Sequence, residues 1–343
     1  MRAIVIHNPR DLRIETVDAA APGPGEVQVT MEAGGICGSD LHYYQHGGFG
    51  TVRIKQPMVL GHEVAGKVAA LGEGVSGLSV GDRVAISPSR PCGTCAYCAE
   101  GLRMHCENMR FYGSAMPFPH IQGAFREVLV ADASQCVKAN ALSAGEAAMA
   151  EPLSVCLHAA RRAGDLLGKR VLITGSGPIG VLCLMAARRA GAAEVVVTDL
   201  SDTALRYATE AGADRVVTAG SPDALAEFSA GKGHFDVLFE CSGANVALTG
   251  AVPAMRPRGV IVQVGMGGDM TVPMQIITAK ELDVRGTFRF HEEFPIAVEL
   301  MAKGLIDVKP LITHEFAIED AVAAFEIAAD RSKAMKAQIR FDA

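Results

Sequence analysis

Between residues 169 and 267 the chain alternates in a way that few folds accommodate. "KRVLIT" is a short apolar run, and "PIGVLCLMAARRAGA" carries helical spacing. "AEVVVTD", "SDTALRYATEAGA" and "DRVVTA" repeat the exchange, and "FDVLFECSG" and "GVIVQVGMG" add two more runs with a helical segment between them. Strands that are apolar on every residue must be covered on both faces. Alternation with helices supplies that cover, so the segment predicts a doubly wound parallel sheet and an α/β fold class.

One turn of this alternation carries a glycine pattern. In "KRVLITGSGPIG", Gly175, Gly177 and Gly180 follow a strand and open a helix, with Pro178 and Ile179 between the last two. The first glycine permits a tight turn, the second admits a pyrophosphate to the backbone, and the third lets helix and strand approach. Glycines also mark ordinary turns. Here the next strand ends in Asp199, at the distance expected of an acid that accepts from an adenosine 2′-hydroxyl and repels a 2′-phosphate. The nearest arginine, Arg206, lies farther along the following helix. The pattern therefore predicts a dinucleotide site that prefers NAD to NADP.

The flanks read differently. Up to about residue 140, "RAIVIH", "EVQVTMEAGG", "GHEVAGKVAALG" and "GDRVAI" suggest strands broken by turns such as "PGPG". Ala-rich helical spacing begins at "SAGEAAMAEPLSVCLHAARRAG", where Pro152 starts or kinks the helix. Past "ELDVRGTFRF" the texture is mixed again and ends in the strand "AQIRF". At 343 residues, two domains are expected. The reading is a β-rich domain over 1–150 and 284–343, a cysteine-rich lobe at about 90–110, and a Rossmann domain over 151–283. A net charge of −6 provides no electrostatic draw toward nucleic acid or anionic membrane. Neither a secretory leader nor a membrane-length apolar run is expected, which makes the cytoplasm the expected location.

"PCGTCAYCAEGLRMHC" sets Cys92, Cys95, Cys98 and Cys106 in the spacing C-x2-C-x2-C-x7-C. Nine cysteines, an odd number, in a reducing compartment disfavour a disulfide framework. "CGTC" also lacks the strand-then-helix context of a redox dithiol. Four thiolates suit one tetrahedral zinc and fill its coordination sphere, so this ion would hold a lobe and do no chemistry. Donors for a reactive zinc stand elsewhere: Cys37 in "GGICGSDLHYY", His62 and Glu63 in "PMVLGHEVAG", and Glu151 in "MAEPLSV". Three of these leave a place for substrate. Singly, each also reads as a core thiol, a turn histidine or a carboxylate at a helix N-terminus.

With "GICGSDLHYY", "GHEVAG", "VGDRVA", the four-cysteine lobe, "AEPLSV", "GSGPIG" and "VGMGG" together, the chain resembles, end to end, a zinc-dependent medium-chain dehydrogenase/reductase of the sorbitol, threonine and alcohol dehydrogenase type. The resemblance implies a GroES-like catalytic domain made from both chain ends, with the Rossmann domain inserted. It places a catalytic zinc on Cys37, His62 and Glu63, with Glu151 holding the zinc-bound water or exchanging in as ligand. Ser39 then relays the alcohol proton, with His42 nearby. Tyr43 and Arg289 fall at polyol-contacting positions, while Val264, Gly265, Met266, Thr287 and Phe288 flank the nicotinamide, with Arg289 beside them. Phe290 stands where sorbitol dehydrogenases usually carry Tyr, which points away from glucitol, and Ala204 stands where they carry Arg. The implied activity is reversible oxidation of a secondary alcohol on a sugar acid or polyol, with hydride passing to NAD. Arg289 would meet a substrate carboxylate, and a homotetramer with two zinc ions per chain is implied. A neutral-polyol or 2,3-diol dehydrogenase of the same fold is the alternative substrate reading. A zinc-stabilised binding protein without catalysis is the alternative of another class.

Overall fold

The computed structural model describes residues 1–221 and 223–341 and divides into two compact units, Met1–Glu151 with Phe294–Ala343, and Pro152–Glu293. The first crossover falls where the helical texture begins. The second lies beyond the expected 283, because Asp283–Gly286 is a strand of the parallel sheet, hydrogen-bonded alongside Met255–Gln263.

The outer unit is built on a seven-stranded sheet. Its order is Cys136–Lys138, Arg83–Ile86, Glu63–Leu71, Glu26–Gly35, Lys336–Arg340 and Ile312–Ala317, with Val128–Asp132 also pairing to Glu26–Gly35. The C-terminal strand "KAQIR" thus lies antiparallel to Glu26–Gly35, and the tail returns to the first domain as its texture suggested. Alternation in "EVQVTMEAGG" sends Val27, Val29 and Met31 inward, all fully buried. They join Ile4, Ile86, Phe125, Phe325 and Ile339 in one core. Burying aliphatic side chains of this size contributes roughly 1.5–3 kcal/mol each.

The inserted unit carries six parallel strands in the order Arg215–Thr218, Glu194–Asp199, Arg170–Thr174, Phe235–Glu240, Met255–Gln263 and Asp283–Gly286. Val171, Leu172, Ile173, Val195, Val196 and Val197 are completely buried, as strands covered on both faces require. The chain leaves Arg170–Thr174 outward in one direction and resumes on its other side at Phe235–Glu240, a topological switch point. Pro152 lies in the first turn of the helix Ala150–Ala163, where its missing N–H costs nothing. Among the described residues, no helix is long and apolar enough to cross a membrane.

Candidate metal and dinucleotide sites

Strand register assembles the first site. Glu26–Gly35 ends opposite Glu63, with Gly35 paired to it, and Cys37 follows at the N-terminus of the helix Gly38–His46. A β-carbon on Gly35 would collide with Glu63 Oε2, so only glycine leaves room for that carboxylate. Cys37, His62 and Glu63 then bring one donor atom each within 4.8 Å of one another. His62 and Glu63 are buried and Cys37 partly so.

Two residues that sequence reasoning missed hold this cluster in shape. Asp40, fully buried, accepts from Cys37 N (3.1 Å) through Oδ2 and from Gly61 N (3.1 Å) through Oδ1. It thereby ties the segment bearing the thiol to the segment bearing the imidazole. Its place three residues after Cys37, in a helix's first turn, is the sequence signal that marks it as a cap. Lys336 donates to both oxygens of Glu63, at 2.9 and 2.7 Å, and to Ile36 O at 3.3 Å. It lies 273 residues from Glu63, and no local pattern points to it.

The electrostatics favour a cation. Burial, and then the charge of Glu63, push the Cys37 thiol up to about 12. Burial pushes Glu151 up to about 8, with Glu63 and Cys37 adding to the rise and His62 and Lys336 opposing it. Burial works against the charge of Lys336, yet Glu63 and Cys37 hold its pKa above the ordinary value. His62 Nδ1 is buried without a hydrogen-bond partner, since Asp40 Oδ1 stands 3.7 Å away, beyond hydrogen-bond reach. Thiolate, imidazole and carboxylate are zinc donors, and a divalent ion would offset the anions that burial penalises. These residues fit a zinc ion.

Ser39 is partly buried and donates its N–H to the Cys37 sulfur, while His42 is exposed on the same helix. Although the residue as a whole is exposed, partial desolvation lowers the His42 pKa, with the positive charges of His46 and Arg331 adding to the fall. Tyr43 is 2% exposed, and its hydroxyl accepts from Ala115 N at 3.0 Å.

The cysteine lobe forms a second cluster from local chain. Cys92, Cys95, Cys98 and Cys106 place their sulfurs within 4.8 Å of one another. Cys95 and Cys106 are 3.9 Å apart, against ~3.8 Å between sulfurs on a tetrahedral zinc with ordinary bonds. N–H groups point at the sulfurs. Cys92 is held down at about 5 by the amides of Thr94 and Cys95, and Cys95 is lowered by those of Cys98 and Glu107. All nine cysteines are free thiols. Gly93 and Gly101 adopt left-handed φ of 75° and 82°, which lets the short loop close around its four donors.

In the inserted unit, Gly175 adopts φ 88°, and Gly177 caps the helix Pro178–Arg189. A β-carbon on Gly180 would strike Gly175 O. Asp199 ends its strand with Oδ2 accepting from Ser176 N (2.6 Å) and Oδ1 from Ser201 N (2.9 Å). The acid therefore also braces the glycine-rich turn. Val264 N and Gly265 N donate to Glu240 O, and Met266 is 71% exposed. Thr287 Oγ1 is buried without a partner. Arg289 takes a left-handed φ of 55°, rare for a non-glycine residue, and its guanidinium lies 4.8 Å from the Phe288 ring centroid. Phe290 is fully buried.

A glycine-rich turn on a parallel sheet, a four-thiolate lobe and a buried thiol–imidazole–carboxylate cluster define a zinc-binding dehydrogenase, and the chain belongs to that family. Residues 23–141 match the family model "Alcohol dehydrogenase GroES-like domain", and residues 178–303 match "Zinc-binding dehydrogenase". The chain is 47% identical over 317 residues to L-idonate 5-dehydrogenase (NAD(P)(+)) of Escherichia coli, covering 92% of this chain and 91% of that one. It is 40% identical over 346 residues to sorbitol dehydrogenase of Bos taurus, covering 99% and 96%. The crystal structure of the Escherichia coli L-idonate 5-dehydrogenase superposes with a TM-score of 0.94 at 44% identity, over 99% of this chain and 97% of that one.

Proposed function

We propose that the protein is an NAD-preferring L-idonate 5-dehydrogenase carrying two zinc ions per chain. In this reading it oxidises the C5 alcohol of L-idonate reversibly to 5-dehydrogluconate. The observation that carries the reading is the buried Cys37, His62 and Glu63 cluster with its unpartnered imidazole nitrogen. Cys37, His62 and Glu63 would hold the catalytic ion, with Glu151 beside them. A zinc ion held there would supply Lewis acidity to the substrate hydroxyl and a bound NAD would supply the hydride acceptor, so that each turnover would yield a carbonyl product, NADH and one proton. Ser39 would take that proton from the hydroxyl as it passes its own onward, and a relay through the cofactor ribose and His42 would carry it to water. Asp40 keeps thiol and imidazole in register, which maintains the geometry the reaction needs.

Arg289 meets the carboxylate of the sugar acid, with the fork geometry suited to two parallel bonds. Its left-handed backbone supports this role, since strain of that kind is kept where a side chain must be aimed. Val264, Gly265, Met266, Thr287 and Phe288 flank the nicotinamide, and Tyr43 and Phe290 shape the substrate side. Asp199 supports NAD over NADP, because a 2′-phosphate would meet its carboxylate. The free thiols support a reducing cytoplasmic setting, and a homotetramer completes the reading.

A neutral-polyol dehydrogenase is the second reading, favoured by the 40% identity to sorbitol dehydrogenase across 99% of the chain. Spectrophotometric assay with L-idonate, D-gluconate, D-glucitol, xylitol, L-threonine and 2,3-butanediol, each with NAD and NADP, separates the two. L-Idonate with NAD should give the highest kcat/KM, and higher values for D-glucitol would replace this reading with the second. Arg289→Ala should raise KM for the sugar acid about tenfold or more, consistent with loss of a charge-assisted pair, and leave neutral polyols nearly unchanged. Equal effects on both substrate classes would remove the arginine from carboxylate recognition.

A further inference from the structure

Glu240 ends the strand Phe235–Glu240 and is completely buried. Five neutral donors converge on its carboxylate. Oε1 accepts from Thr174 Oγ1 (3.3 Å), Ser242 N (2.9 Å) and Ser242 Oγ. Oε2 accepts from Gln263 Nε2 (2.5 Å), and Gly243 N is shared between the two oxygens at 3.2 and 3.0 Å. The peptide oxygen of the same residue takes Val264 N (2.9 Å) and Gly265 N (2.7 Å). Gln263 Nε2 also donates to Gly265 O at 2.8 Å, which closes the net.

A sheet does not need a buried anion to hold its strands together, and apolar residues do that without the desolvation cost. The distribution of donors gives the reason for a charge here. Thr174, Glu240 and Gln263 end three neighbouring parallel strands. The segments that follow them are the glycine-rich turn, the Ser242–Gly243 turn and the Gly265–Met266 loop. These segments also touch one another through backbone. A β-carbon on Gly175 would press on Ser242, and one on Gly267 would overlap Gly243. Ligands of open parallel sheets bind beyond these strand ends. The carboxylate thus governs the shape of the surface that receives a dinucleotide, while lying beneath it.

We infer that Glu240 is a positioning residue that presets these three loops for the dinucleotide before it binds. The inference rests on the dehydrogenase reading above. It predicts a selective defect: weaker dinucleotide binding with intact chemistry once the site is filled.

The test is NADH titration by fluorescence and steady-state kinetics on the zinc-loaded protein. Glu240→Gln should raise Kd for NADH and KM for NAD about tenfold or more, the scale of losing hydrogen bonds to a buried charge. The kcat at saturating NAD should stay within about threefold and zinc content should remain two per chain. A residue that served stability alone would lower Tm without this split between KM and kcat. Ser242→Ala and Gln263→Met each remove donors and should weaken NADH binding about threefold. They carry the test should Glu240→Gln fail to fold, and wild-type affinity in both would overturn the inference. A folded Glu240→Gln with wild-type Kd, or a loss confined to kcat, would also overturn it. Wild-type protein that binds no NADH would instead sink the dehydrogenase reading on which this one stands.

Discussion

The two metal-donor clusters of this chain are made in opposite ways. The four thiols of the lobe come from one short segment, two of them partly exposed and two buried, with backbone amides aimed at the sulfurs of Cys92 and Cys95. Cys37, His62 and Glu63 come from two separate segments, joined by strand register, and their charge is answered by a lysine from the far end of the chain. A filled four-thiolate sphere leaves no position for a reactant, whereas three donors do. In the proposed function the first arrangement would secure a loop and the second would act on a substrate. Charge is also managed differently. In the lobe, amide dipoles favour the thiolates of Cys92 and Cys95 while burial pushes Cys98 up to about 12, whereas the inner cluster sets the buried Lys336 against Glu63.

The contrast can be broken by substitution. Cys37→Ser should reduce kcat by a factor on the order of a thousand or more, because it removes a donor from the reactive ion. Zinc per chain should fall from two to one, with a Tm loss no larger than removing that ion from the wild type causes. Measured activity near wild type would make the inner cluster structural. Lys336→Met strips the buried Glu63 of its countercharge, a change that typically costs roughly 3–5 kcal/mol. Urea unfolding of metal-free protein should show that loss, and saturating zinc should recover part of it. A variant as stable as wild type without metal would mean that the ion pair matters little. Cys98→Ser should act in the reverse sense to Cys37→Ser. Tm should fall by several degrees and the lobe's zinc should be lost, while kcat per folded molecule stays within about threefold. A selective collapse of kcat at unchanged Tm would erase the distinction between the clusters.

How far each region could be read from sequence follows the same divide. The lobe was legible because all its donors lie within one run of fifteen residues, Cys92 to Cys106. The parallel sheet was legible because strands covered on both faces cannot hide their apolar composition, as in "VVVTD" and "VLFE". Cys37, His62 and Glu63 were individually ambiguous, and only the family motifs joined them. Asp40 went unread beside them, although a carboxylate three residues into a helix is a capping signal. Lys336 was beyond reach, since a pairing across 273 residues leaves no periodic trace. The inserted unit runs past the expected 283 because Asp283–Gly286, too short, charged and exposed to signal a strand, is an edge strand of the parallel sheet. Glu240 was overlooked for a related reason, as its donors come from the ends of three different strands.

The pairing of Glu63 with Lys336 sets an order of events during synthesis. The ribosome releases the whole inserted sheet, whose strands are all translated by Gly286, before Lys336 emerges. The parallel sheet is free to form on the nascent chain while the strand that closes the outer unit is still inside the exit tunnel. Until Lys336 has emerged, the buried acid of the donor cluster has no permanent cation to face.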